Sequence, residues 1–144
     1  FFSGYRNTVL AEGEYIKAIS IGRDEFSGFR RYFKNSKRTM DDISTVMGAF
    51  YIDVQSCQVR AARIAYGGLA ATPIRIKAVE AYLQGKAVGE IDIESATALL
   101  KSAINPLSDV RASADYRSEV AVNMLEIALR EQAGEVIPSV TALI

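Results

Sequence analysis

Val46-Met47-Gly48-Ala49-Phe50-Tyr51-Ile52-Asp53-Val54 decides the fold class. Val46, Gly48, Phe50, Ile52 and Val54 fall on one face at period two, and Met47, Ala49, Tyr51 and Asp53 alternate with them. That alternation marks a strand with one buried face. Residues 53–58 read as the connection to a second strand over 58–66, and strands joined this tightly pair antiparallel. Towards the N-terminus, residues 14–21 and 26–34 are also short, rich in β-branched and aromatic residues, and bounded by turn-prone stretches. The expectation is four strands over 14–21, 26–34, 44–54 and 58–66.

Beyond Gly67-Gly68 the period becomes helical. Thr72 reads as a cap and Pro73 as a first helical position, with Ile76, Val79 and Leu83 on one face before Gly85. A second helix starts at an Asp92 cap, presents Ala96, Leu99, Leu100 and Ala103, and stops at Asn105-Pro106. A third starts near Asp115 and presents Val120, Ala121, Met124, Leu125 and Ala128 before Gly134. The fold class is therefore α+β: an antiparallel sheet of about four strands followed by three helices packed on one face, an α+β sandwich. Residues 1–133 read as one domain and 134–144 as a C-terminal tail.

The composition restricts the chemistry. The 144 residues carry 17 basic and 17 acidic side chains, which argues against a nucleic-acid partner. Without histidine there is no Ser-His triad and no His-based acid–base group. Cys57 is the single cysteine and cannot by itself build a zinc site, an iron–sulfur cluster or an internal disulfide. No run approaches the roughly 18 apolar residues of a membrane span. The opening Phe1-Phe2-Ser3-Gly4-Tyr5-Arg6 has neither methionine nor a signal peptide and reads like the interior of a longer polypeptide. The expectation is a cytoplasmic piece without a complete active site.

Few motifs rise above ordinary structure. Gly67-Gly68 lacks the spacing of a phosphate-binding loop and reads as a tight turn needing positive φ. Ser36 and Ser44 have no base to activate them. The charge is uneven: Arg30, Arg31, Lys34, Lys37 and Arg38 form a basic run without an acid, and Asp41-Asp42 follow at once. This connector between two expected strands places a lysine where it can meet an anionic or electron-rich ligand while the aspartates hold the arginine. A salt-bridged hairpin tip is the competing reading.

The connector, with Phe1-Phe2-x-Gly4-Tyr5-Arg6-x-Thr8 before it and Tyr66-Gly67-Gly68-x-Ala70 after it, resembles the C-terminal part of the FAD-binding portion of xanthine dehydrogenases. Thr72-Pro73, the Pro106–Ser113 stretch and Tyr116-Arg117 follow in the same order. The family it resembles is that of the molybdenum hydroxylases, and the unit it is similar to is the CO dehydrogenase flavoprotein C-terminal-like domain. The resemblance implies an oxidoreductase in which a molybdenum cofactor hydroxylates a purine, 2Fe-2S clusters relay electrons, and FAD passes them to NAD. It also implies partners: an N-terminal FAD-binding half, and iron–sulfur and molybdenum-binding domains or subunits. By resemblance Lys34 contacts the flavin, as does Ile16 on a strand after the Gly-Tyr-Arg segment, with Arg38 and Asp42 as further candidates. Met40-Asp41-Asp42 departs from the Asp-x-Asp pattern of many bacterial relatives. The alternatives are the flavin subunit of an aldehyde, nicotinate or carbon monoxide dehydrogenase, and a non-catalytic dimerisation or assembly module.

Overall fold

A computed structural model describes residues 1–22, 28–38 and 42–138. Near the N-terminus, β1 (Phe2–Gly4) and β2 (Asn7–Thr8) pair as a small hairpin apart from the main sheet. The main sheet is antiparallel, in the order β3 (Phe29–Asn35), β4 (Val46–Gln55), β5 (Gln58–Gly67), β6 (Ile74–Arg75). Its centre is the strand pair β4–β5, joined by the two-residue turn Ser56-Cys57.

The alternation in β4 holds: Val46, Phe50 and Ile52 are buried, and Val54 packs partly buried against them. Asp53 is buried as well, because the register shifts between Asp53 and Val54 and Arg60 pairs with its carboxylate. Gly48 stands opposite Phe33 on one side and Tyr66 on the other. A β-carbon there would lie 2.8 Å from the Phe50 ring and 3.2 Å from the Tyr66 ring. Its absence lets Phe33, Phe50 and Tyr66 stack edge to face at 5.7 and 5.5 Å between centroids.

Three helices cover that face. Helices α1 (Lys77–Leu83) and α3 (Ala114–Gln132) lie on the sheet, and α2 (Ile93–Ala103) packs against both. Val79, Leu83, Ala96, Leu100, Ala121, Leu125 and Ala128 complete the core. The expected sandwich, with its helices on one face, is the observed architecture.

Two local expectations fail. Residues 14–21 form no strand, and Tyr15, Ile16, Ile19 and Ile21 are exposed. Strand-forming side chains become a strand only when a neighbouring edge supplies a ladder, and the fourth place in the sheet is taken at the opposite edge by β6. The helix expected from Thr72 and Pro73 starts later, at Lys77. Ile74 and Arg75 pair with Tyr66 and Ala65 instead, and the Ile76 N–H donates to the Ile64 carbonyl. Cross-strand bonds to a buried strand outweigh a weak local helix signal. Of the strand expected over 26–34, residues 26 and 27 lie outside the described residues.

Candidate functional site

Strand β3 is an edge strand with alternating exposure, and this decides where its cations point. Phe29, Arg31, Phe33 and Asn35 turn towards the helices, whereas Arg30, Tyr32 and Lys34 are exposed on the opposite face. Lys34 lies opposite Met47, which lies opposite Gly67, so its row ends in a residue without a side chain. Lys34 has no ion-pair or hydrogen-bond partner among the described residues. The ammonium is thus exposed on this face beside Tyr32 and Met47.

The connector after β3 is internally braced. The Asp42 carboxylate accepts a hydrogen bond from the Arg38 N–H at 3.1 Å and faces the Arg38 guanidinium at 3.8 Å. Partial desolvation acts to raise the Asp42 pKa, but the Arg38 N–H, the Arg38 charge and the N–H groups of Ile43 and Lys37 together lower it. The Ser36 hydroxyl donates to the Arg38 carbonyl at 2.8 Å. Arg38 and Asp42 are thus brought together, as a turn-closing pair. Ile16 is half-exposed on the irregular segment, and no ladder joins that segment to β3. Asp41 lies outside the described residues.

Beside the connector is a cleft of about 390 Å³, lined by Asn35, Ser36, Lys37 and Thr45 on one side and Arg111, Ser113 and Tyr116 on the other. The two sides are tied directly. The Lys37 ammonium donates to the Val110 carbonyl at 2.9 Å, and the Asn35 amide donates to the Tyr116 hydroxyl at 3.3 Å.

Arg117 holds the floor. It is 5% exposed; its Nη1 donates to the carbonyls of Thr45 (2.5 Å) and Gly68 (3.0 Å), and its Nη2 donates to Asp109 Oδ1 (2.6 Å). Asp109 also accepts the Arg111 and Ala112 N–H groups. These N–H groups and Arg117 hold its pKa down at about 2. Gly68 has φ +84°, and a β-carbon would stand 2.3 Å from the Thr45 oxygen. The diglycine is therefore the tight turn expected, and it makes room for the guanidinium. Sequence reading assigned Arg117 and Asp109 no role. A signal existed: Arg117 precedes Ala121, Met124 and Ala128 by 4, 7 and 11 residues, a charge on the apolar stripe of a helix.

Among the described residues no cluster of carboxylates and cysteine is placed to hold a metal, and no helix is long and apolar enough to cross a membrane.

Residues 31–132 match the family model of the CO dehydrogenase flavoprotein C-terminal domain. The glyceraldehyde dehydrogenase medium chain of Sulfolobus acidocaldarius is 29% identical over 133 residues, 92% of this chain and 47% of that protein. The xanthine dehydrogenase of Emericella nidulans is 34% identical over 88 residues, 60% of this chain and 6% of that protein. Among solved structures, a carbon monoxide dehydrogenase from Hydrogenophaga pseudoflava that lacks the Mo-pyranopterin moiety of its cofactor superposes with a TM-score of 0.66. It is 30% identical, over 73% of this chain and 36% of that one. The chain spans less than half the length of the curated relatives it matches. Its fold, its order of elements and these matches agree: the chain belongs to the CO dehydrogenase flavoprotein C-terminal domain family of the molybdenum hydroxylases.

Proposed function

We propose that this chain is the C-terminal part of the FAD-binding component of a xanthine dehydrogenase-type oxidoreductase in the cytoplasm. In this reading it packs against the flavin beside an N-terminal half that grips the rest of FAD, within an assembly that also carries 2Fe-2S clusters and a molybdenum cofactor. FAD supplies electron transfer between the clusters and NAD. The observation that carries the reading is the place of Lys34: exposed on the sheet face away from the helices, one residue before β3 ends in the connector, and without a charged partner among the described residues. Lys34 would hold a fixed positive charge against the ring. Arg38 and Asp42 would keep the connector in shape beside it, and Ile16 would cover the ring from the irregular segment. The connector that follows Lys34, with exposed Lys37 and Arg38, is where an anionic acceptor such as NAD would approach the ring.

A positive charge beside the flavin favours its more electron-rich reduced form. A hydrogen bond from a charged donor contributes about 1.5–3 kcal/mol, or roughly 10- to 150-fold in affinity. Lys34→Met in the full-length flavoprotein should therefore lower the flavin potential and weaken FAD retention by about that factor. Lys101→Met is the control, because Lys101 sits on α2 in an exposed pair with Glu119. Flavin content and a redox titration give the answer, and equal values for the two variants would remove Lys34 from the flavin site.

A second reading is the medium chain of an aldehyde or carbon monoxide dehydrogenase, favoured by a match that runs over 92% of the chain. Reoxidation of the reduced holoenzyme separates the two readings. Rapid reoxidation by NAD supports the xanthine dehydrogenase type, and reoxidation by artificial acceptors alone supports the second.

A further inference from the structure

We infer that Arg117 is the positioning residue of the β3–β4 connector, fixing where it stands relative to the cleft and to Lys34. The connector leaves the sheet at Asn35 and returns at Thr45, and the Thr45 N–H donates to the Asn35 carbonyl at 2.7 Å. Thr45 is buried and its carbonyl is held by Arg117. Two further anchors, Asn35 to Tyr116 and Lys37 to Val110, lead to the same stretch, residues 109–117. The connector is thus referenced to the start of α3 and the loop before it, and Arg117 is the buried member of that set.

The guanidinium suits the task because its fork meets three acceptors from three separate loops: Thr45, Gly68 and Asp109. A lysine ammonium is a compact point charge and does not reproduce that spread. Asp109 completes the device, being held as a carboxylate by the two N–H groups of its own turn and by Arg117. An ion pair with one exposed partner, as Asp109 is here, is weak evidence for stability. Its distinctive product is geometry: it sets the separation of the connector, the β5–β6 turn and the loop before α3. The consequence for the flavin rests on the proposed function; the positioning itself does not.

The test uses the full-length flavoprotein with Arg117→Met, Arg117→Lys and Asp109→Asn, against Leu100→Ala, a core variant on α2 remote from the connector. The readouts are tryptic cleavage after Lys37 and Arg38 and amide exchange of the Thr45 N–H, all made at matched distance from each variant's denaturation midpoint. Arg117→Met should speed cleavage at least 10-fold, and Arg117→Lys should restore only part of the protection. Leu100→Ala should change it by less than threefold. Equal acceleration by Leu100→Ala would overturn the inference, leaving Arg117 as ordinary packing. Should Arg117→Met fail to fold, Asp109→Asn decides: it preserves side-chain size, so at least threefold acceleration supports the inference and none overturns it. Flavin potential and content are recorded on the same samples. A loosened connector with unchanged flavin properties upholds the positioning role and overturns the flavin-facing reading, so the two failures are distinguishable.

Discussion

Ser56 and Cys57 close the β4–β5 hairpin with φ of +51° and +62°, so both residues of a two-residue turn are left-handed. That geometry matches the twist of the flanking strands and strongly favours Asn-Gly. Side chains with a β-carbon each pay roughly 1 kcal/mol there. Cys57 is exposed, so replacing it disturbs no packing. Ser56→Asn combined with Cys57→Gly should raise stability by about 1–2 kcal/mol in chemical denaturation. A lowered midpoint would show that the native side chains make a turn-stabilising contact. Gly68 is the opposite case: its positive φ accompanies a carbonyl 2.3 Å from where a β-carbon would stand, so no side chain is tolerated without moving the Thr45 backbone.

The helices differ in how they begin. Helix α2 is capped by Asp92, whose carboxylate accepts the N–H groups of Glu94 and Ser95 at 3.2 and 3.3 Å. The Ser95 hydroxyl acts most strongly to lower the Asp92 pKa; desolvation opposes it, and these N–H groups and the Lys86 charge keep the net shift downward. Helix α1 has no side-chain cap. It is anchored by buried Glu80, which accepts the Ile64 N–H of β5 at 2.9 Å and pairs with Arg75 and Lys77. Burial acts to raise the Glu80 pKa, but the Arg75 hydrogen bond, the Ile64 N–H and the cationic partners together lower it. Asp92→Ala should cost about 1 kcal/mol, measured by denaturant unfolding. A change below about 0.3 kcal/mol would mean that the start of α2 is set by packing on α1 and α3 alone.

Sheet and helical layer are joined through Tyr66, which is 1% exposed and donates its hydroxyl to the Ala121 carbonyl of α3 at 2.8 Å. Burial raises the Tyr66 pKa far above the usual tyrosine range. The unfolded chain therefore releases this proton near pH 10 while the folded chain keeps it. The contribution is intact below pH 10 and is lost as pH rises beyond it, by about 1.4 kcal/mol per pH unit. Tyr66→Phe should cost about 1 kcal/mol at neutral pH, through the unpaired Ala121 carbonyl, and should flatten the decline above pH 10. Denaturation midpoints of both proteins at pH 7 and pH 11 test it. Parallel declines would show that Tyr66 ionises without unfolding the sandwich.

Sequence alone determined what depends on local period and capping. The inward face of β4, the β4–β5 hairpin, the Asp92 cap and the apolar stripes of α2 and α3 are set by side chains a few residues apart. It also marked Lys34 and the connector, because a basic run followed at once by acids is visible without coordinates. Tertiary structure decided what depends on a distant partner. Residues 14–21 have the β-branched and aromatic content of a strand but pair with no ladder, whereas Ile74-Arg75 became β6 because β5 offered an open edge. Whether Arg117 was a solvated charge or a buried fork likewise depended on Thr45 and Gly68, 72 and 49 residues away. Hydrogen bonding to a buried group requires that partner to arrive, and only the folded chain brings it.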